Sequence, residues 1–223
     1  MMPIISATKC ELFDESLKLF KMIKKTSFQS TNKLSKFIIF ENILFELQSL
    51  TLIQSKQLID IIESLYNCRI IHRDIRPQNL MLDKKYERLK LIDFGYAETF
   101  NINQETKQLP IEGVISYAGL NFFSKFLLNS VAVCYEYERT FDLPCAINLI
   151  MYMTDNDVNN KLTSFKDLPS FRERMAATYS YWLDRKNKNK NYADLLNLVD
   201  NSQGSPDFGL IKNEIETYFN MLD

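Results

Sequence analysis

Two short polar motifs of this 223-residue chain carry side chains that could bind a metal ion. The first is His72-Arg73-Asp74, which Asn79 follows five residues later, and the second is Asp93-Phe94-Gly95. The apolar segments between them predict two short strands. A magnesium ion that also binds substrate phosphates needs a few hard oxygen ligands from separate segments, and the side-chain oxygens of Asn79 and Asp93 meet this need.

In this order, the motifs resemble the catalytic core of protein kinases, His-Arg-Asp-x-x-x-x-Asn followed by Asp-Phe-Gly. The resemblance implies that Asp74 orients a substrate hydroxyl and accepts its proton, while Asn79 and Asp93 hold magnesium. Arg76 stands where many kinases have a lysine that reaches the transferred phosphate, and its planar guanidinium keeps the charge but changes the geometry. His72 resembles the family histidine that packs beneath the phenylalanine, here Phe94.

Two other interpretations of the motifs stay open. They could be ordinary polar loop residues beside two short strands, although their order and context argue against this. They could also belong to a small-molecule phosphotransferase of the aminoglycoside type. Such enzymes usually carry glycine between the histidine and the aspartate, and a further histidine after it, and this chain has neither residue.

Two downstream segments resemble the casein kinase I family more specifically. They are Gly113 to Asn121, with the sequence GVISYAGLN, and Phe141 to Tyr152, which runs into an apolar helix. The resemblance implies that Asp142 begins a buried helix and binds the backbone of the catalytic loop, although a carboxylate there would also cap the helix. Val114 replaces the family threonine, so it cannot make the side-chain hydrogen bonds of that threonine.

The N-terminal region resembles only part of a kinase small lobe. A helix from Cys10 to about Lys25 and a strand over 37–40 are predicted there. They lead to a hinge at Glu41, Asn42 and Ile43, whose backbone would contact adenine. Met81 falls where the family places the apolar floor of the adenine pocket, although any alternating strand would look the same.

A glycine-rich loop is missing from residues 1–94, because the first of the five glycines is Gly95. A Val-Ala-Ile-Lys-like segment with a phosphate-binding lysine is missing as well. We therefore expect an α+β, protein-kinase-like fold in which residues 1–45 form a reduced N-terminal lobe. Residues 46–223 would form a mostly helical C-terminal lobe with short strands near 70–100.

The spacing of apolar residues predicts the helices of this C-terminal lobe. The predicted ranges are 49–66, 143–153, 169–184, 191–199 and 208–222, and the polar tract 185–191 is interpreted as a solvated loop. Thr99 and Thr106 would lie in an activation segment over 93–121. Arg73 could meet a phosphate on that segment, but unmodified hydroxyls explain the threonines more simply.

Composition adds little about function. A net charge of −1 gives no electrostatic case for a nucleic-acid or anionic membrane surface. No apolar run is long enough to cross a bilayer. The four cysteines lack metal-ligand spacing and are predicted to be reduced core thiols of a cytoplasmic or nuclear protein.

The resemblance as a whole implies ATP and Mg2+ as cofactors and a protein as the substrate. The predicted reaction moves the terminal phosphate of ATP to a serine or threonine hydroxyl, weakly because the glycine-rich loop is missing. The alternative is a non-catalytic pseudokinase or truncated kinase that acts as a protein-binding scaffold.

Overall fold

The computed structural model describes residues 44–85, 87–128, 134–200 and 205–221. The predicted helix 10–25, the strand 37–40 and the hinge residues Glu41, Asn42 and Ile43 lie outside the described residues. They stay predictions, as does the lobe boundary between residues 45 and 46.

The described residues are mostly helical, with short strands between the first helices. The helices are α1 (Leu52–Asn67), α2 (Leu120–Leu128), α3 (Asp142–Thr154), α4 (Asn156–Ser164), α5 (Phe171–Lys188), α6 (Lys190–Asp200) and α7 (Phe208–Phe219). The strands are β1 (Phe45–Glu46), β2 (Ile70–Ile71), β3 (Leu80–Asp83), β4 (Arg88–Leu91), β5 (Glu98–Thr99), β6 (Thr106–Pro110) and β7 (Cys134–Glu138). This confirms the mostly helical α+β architecture.

Three small antiparallel sheets connect the helices. Strands β1, β3 and β4 form one sheet with β3 in the centre, β2 pairs with β5, and β6 pairs with β7. In the first sheet Leu80 is opposite Leu91 and Asp83 is opposite Arg88. The β3–β4 hairpin therefore confirms the predicted strand pair between the two polar motifs.

Helix α3 is the most buried element of the described core. Ten of its thirteen residues are buried, including the polar Asp142 and Asn148. Helix α1 packs against both α3 and α7, and α5 packs against α2 and α6. Helix α1 begins with a capping box, in which the Thr51 and Gln54 side chains bind each other's backbone N–H groups. The start of α1 is thus fixed at Thr51.

Five predicted helices are confirmed, with ends displaced by up to four residues. The interpretation of 185–191 as a loop is wrong, because α5 continues to Lys188 and α6 begins at Lys190. The lysines that alternate with asparagines over 186–191 suit a solvated helix end, and Lys188 pairs with Asp184 one turn earlier. Helices α2 and α4 and the β6–β7 pair were not predicted.

The cysteine prediction is correct only in part. Cys68, Cys134 and Cys145 carry no disulfide, but only Cys145 is buried, so Cys68 and Cys134 are not core thiols. Cys10 lies outside the described residues. Within the described ranges, we find no helix whose length and apolar character would let it cross a membrane.

Candidate active site

The β3–β4 hairpin brings Asn79 and Asp93 to the same end of one strand pair. Asn79 directly precedes β3, and Asp93 follows β4 with one residue, Ile92, between them. Both therefore lie at the open end of the hairpin. The Ile92 N–H donates to the Asn79 carbonyl over 2.9 Å and extends the pairing by one step. Two residues that are fourteen positions apart in sequence are therefore held at one edge.

Asn79 is oriented by its amide nitrogen. The residue is buried, and its Nδ2 donates to the carbonyl and to Oδ2 of Asp74, both over 2.8 Å. Only the oxygen of the amide can bind a cation, and this arrangement keeps Oδ1 available for that purpose. The structure therefore fits the magnesium role predicted for Asn79.

Asp93 differs from the other residues of the motifs because its side chain is exposed. Its backbone is left-handed, with φ of 62°, which is uncommon for a residue other than glycine. One carboxylate oxygen, Oδ1, accepts a 3.3 Å hydrogen bond from the Gly95 N–H and caps the short 3₁₀ turn over 94–96. An exposed carboxylate beside the Asn79 amide is a suitable ligand pair for a cation that also binds phosphates.

Asp74 lies at the centre of the site and is 1% exposed. Its Oδ2 accepts from Asn79 Nδ2 and lies 3.1 Å from Arg76 Nε, while its Oδ1 accepts from the Val114 N–H over 2.8 Å. A carboxylate has about four lone-pair positions, so the two hydrogen bonds, from Asn79 Nδ2 and the Val114 N–H, leave room for a substrate hydroxyl beside the Arg76 ion pair.

His72, the only histidine of the chain, packs its ring edge against Phe94, with 4.7 Å between the ring centroids. This confirms the predicted packing. Burial lowers the pKa of His72 and outweighs the nearby carboxylates of Asp142, Asp74 and Asp93. The neutral ring suits its contacts, since Nε2 can donate to the Ile92 carbonyl at 3.0 Å and Nδ1 accepts from the Asp74 N–H.

Asp142 anchors this loop to α3. Its two carboxylate oxygens accept hydrogen bonds from the backbone N–H groups of His72 and Arg73. This contact confirms the role that the resemblance implied. Burial raises the pKa of Asp142, while His72 and the two backbone N–H groups favour its charged form.

Arg73 is already bound by the chain itself. Its guanidinium donates to the carbonyls of Tyr96 and Pro110, pairs with Glu112 Oε2 at 3.3 Å and lies 4.7 Å from the Tyr137 ring centroid. These partners occupy the side chain that the sequence offered to a phosphate. The state of Thr99 and Thr106 stays a prediction.

Met81 is partly exposed on the central strand of its sheet, between Glu46 of β1 and Lys90 of β4. This position follows directly from the register and agrees with a side chain at the edge of a pocket. The adenine contact itself stays a prediction, as do the contacts of the three hinge residues.

Within the described ranges, no cluster of three or more histidine, cysteine, aspartate or glutamate side chains could hold a metal ion. A cation bound by Asn79 and Asp93 would therefore depend on phosphate and water oxygens for its other ligands. That is the usual coordination of Mg2+ with a nucleotide. The donor set fits magnesium better than a metal that needs a complete protein cage.

The backbone N–H of Val114, which binds Asp74, was not predicted. A backbone contact has no signature of its own in a sequence. The available signal was the glycine at position 113, which the structure explains by a φ of 78°. Sequence analysis also missed Asn148 and Trp182. They hold the following segment by hydrogen bonds to the carbonyls of Tyr117, Ala118 and Ser116.

Comparison with known proteins agrees with this geometry. Residues 14–118 match the family model described as the protein kinase domain. A 44-residue stretch, 20% of the chain, is 52% identical to the serine/threonine-protein kinase PKH1 of Saccharomyces cerevisiae and spans 6% of that protein. A 42-residue stretch, 19% of the chain, is 45% identical to the probable serine/threonine-protein kinase HSL1 of the same organism and spans 3% of it.

The matched segment contains both polar motifs, and the relatives are kinases by name. The described elements around the motifs have the mostly helical, strand-poor arrangement of a protein-kinase-like fold. Together, the site geometry and the matches show that residues 14–118 are similar to a eukaryotic-type protein kinase domain.

Proposed function

We propose that the chain transfers the terminal phosphate of ATP to serine or threonine hydroxyls of a protein. One observation carries the proposal: the buried Asp74 carboxylate is held by Asn79 and by the Val114 N–H, at the end of the β3–β4 hairpin where Asp93 also lies. In this role Asn79 and Asp93 hold Mg2+, and the hinge residues Glu41, Asn42 and Ile43 with Met81 receive the adenine.

In the proposed reaction the substrate hydroxyl oxygen forms a bond to the γ-phosphorus, and the bond from that phosphorus to the β–γ bridging oxygen breaks. ADP leaves with the bond electrons. The hydroxyl proton passes to Asp74, and Arg76 offers its remaining N–H groups to the charge on the transferred phosphate. The magnesium ion, when bound, supplies charge neutralisation at the phosphates.

The finer assignment to a casein kinase I-like group is also a proposal. The segments 113–121 and 141–152 support it, together with the contact of Asp142 with the catalytic loop. The sequence departs from that family at Val114, Gly119 and Phe141. A peptide substrate can therefore dock differently here than in that family.

A second function, a non-catalytic protein-binding scaffold, is favoured by a different observation. Residues 1–94 contain no glycine, so they cannot supply the glycine-rich cover that positions the phosphates in a complete kinase. Positioning and electrostatics provide most of the rate in this reaction class. We therefore expect a turnover well below that of a complete kinase.

A phosphoryl-transfer assay separates the two functions. With radiolabelled ATP, Mg2+ and a mixture of protein substrates, we expect incorporation that Asp74→Asn lowers by about 10²–10⁴-fold, the usual contribution of a positioned base. Asp184→Asn, at an exposed ion pair on α5, is the matched control and should behave as the parent. Incorporation that survives Asp74→Asn would refute the assignment of the base, and binding of ATP without any transfer would favour the scaffold.

A further inference from the structure

The backbone of the activation segment approaches Asp74 unusually closely. A Cβ atom on Gly113 would clash with the Arg73 carbonyl oxygen and lie 3.1 Å from Asp74 Oδ1. Gly113 also has φ of 78°, in the left-handed region that only glycine adopts readily. The chain can therefore place the next residue, Val114, against the carboxylate only because residue 113 lacks a side chain.

The two oxygens of Asp74 are held by different segments. The catalytic loop supplies Asn79 Nδ2 and Arg76 Nε, and both of these groups lie at Oδ2. The Val114 N–H lies at Oδ1. The χ2 torsion of aspartate has a broad energy minimum, so the carboxylate can rotate over a wide range of angles. Contacts with only one of its oxygens therefore define the plane of the carboxylate poorly. The second donor set fixes the plane.

The segment that carries this N–H group is itself tied down on both sides. Before Gly113, the Arg73 guanidinium binds the Pro110 carbonyl and Glu112. After Val114, Trp182 Nε1 donates to the Ser116 carbonyl, and Asn148 Nδ2 donates to the carbonyls of Tyr117 and Ala118. The Val114 N–H thus belongs to a rigid frame that connects α3 and α5 to the base.

We propose that the backbone N–H of Val114, presented by Gly113, is a positioning group that orients the Asp74 carboxylate toward the incoming hydroxyl. This inference rests on the proposed function, because it concerns the base of that reaction. The base is then aligned only while residues 113–114 contact it. The activation segment and the catalytic loop therefore act together. The family threonine side chain is not needed for this contact.

The contact can be measured without any assay of activity. The chain has five valines, at positions 114, 131, 133, 158 and 199, so a ¹⁵N-valine spectrum contains few signals. Val158 is an internal control, because its N–H donates to the Asp155 carboxylate over 3.3 Å. We expect Asp74→Asn to move the Val114 amide proton upfield and leave Val158 in place, and Asp155→Asn to do the reverse.

Asp93→Asn neutralises a second carboxylate of the site, one that does not bind Val114. This variant should shift the Val114 amide signal much less than Asp74→Asn does. If Asp74→Asn leaves the Val114 amide unmoved, or if Asp93→Asn moves it equally, the hydrogen bond is absent in solution. Either result would overturn the proposal.

Kinetics then test the positioning role. Val114→Pro removes the N–H at a residue whose φ of −90° is close to the value that a proline ring imposes. A small misplacement of a catalytic group can cost about 10²-fold, so we expect kcat to fall by about that factor with an unchanged KM for ATP. Val114→Thr keeps the N–H and should keep the parent kcat. An unchanged kcat in Val114→Pro would contradict the proposal. If the parent shows no transfer that depends on Asp74, the proposed function fails, and the valine spectra decide the contact alone.

Discussion

At the scale of single residues, the site is recognised by polar side chains that are buried and paired. His72, Arg73, Asp74, Asn79 and Asp142 are all buried. Charged and amide side chains are rarely buried unless their hydrogen bonds are satisfied, and each of these has partners within the group or in the activation segment. Their burial therefore reflects one connected network.

His72 gives a pH dependence that no other histidine can obscure. Burial lowers its pKa from 6.5, so just below pH 6.5 the unfolded chain binds a proton that the folded chain does not. The contribution of His72 to the free energy of unfolding is therefore fully present above pH 6.5 and decreases as the pH drops below that value.

Urea unfolding at about pH 5.5 and about pH 8 measures this effect, which is limited to about 1.4 kcal/mol per pH unit. His72→Gln should lose the part of the pH dependence that belongs to the imidazole. An equal pH dependence in both proteins would show that His72 titrates as freely when folded as when unfolded.

Arg76 tests whether a forked cation does the work of the usual lysine. Its Nε lies 3.1 Å from Asp74 Oδ2, and a lysine ammonium could reach the same oxygen. We expect Arg76→Lys to retain most of the phosphoryl transfer. Arg76→Gln should lower kcat by about 10²–10³-fold, the usual effect of losing one donor to transition-state charge. Equal losses in the two variants would mean that the guanidinium fork itself is required.

The sequence predicted the side chains of the site better than its backbone. Asp74, Asn79, Asp93 and Asp142 could be proposed as site residues from the residue types and their order, and the structure bears out the contact of Asp142 with the loop. The Val114 N–H could not, since every residue except proline has the same group and only the folded path of the segment selects one.

At the scale of elements, α3 holds the site together. Its first residue, Asp142, binds the catalytic loop, and Asn148, almost two turns later, binds the segment that carries Val114. Tyr192 of α6 donates to Asn148 Oδ1 and completes that buried group. One helix thus sets the distance between the base and the segment that covers it.

Asp142→Ala should weaken this arrangement measurably. It leaves two buried backbone N–H groups without acceptors, at about 1–3 kcal/mol each, so the free energy of unfolding should fall by about 2–6 kcal/mol. Asp142→Asn keeps one acceptor oxygen and should lose less. Asp184→Ala is the surface control for the urea-unfolding measurement. A loss in Asp142→Ala no greater than in this control would contradict the anchoring role.

The missed elements show which signals a sequence lacks. Helix α4 has the sequence NDVNNKLTS, which is poor in helix formers, and depends on the Asp155 cap and the buried pair Val158 and Leu162. Strand β7 did carry an alternating signal, with Tyr135 and Tyr137 buried between exposed residues. Its partner β6 lies more than twenty residues earlier, beyond α2, and such long-range pairing cannot be inferred from local pattern.

At the scale of the whole molecule, the described residues include the proposed base, the proposed metal ligands and the groups that bind them. The glycine-rich loop and phosphate-binding lysine of complete kinases have no counterpart in the sequence of residues 1–94. The central claim is that Asn79 and Asp93 bind a magnesium-nucleotide complex.

Thermal unfolding with and without Mg2+-ATP tests this claim most directly. At a nucleotide concentration about 100 times the dissociation constant, binding should stabilise the parent by about 2.7 kcal/mol. Asp93→Asn should lose most of this gain, while Asp184→Asn keeps it. No stabilisation of the parent, or an equal gain in Asp93→Asn, would contradict the claim.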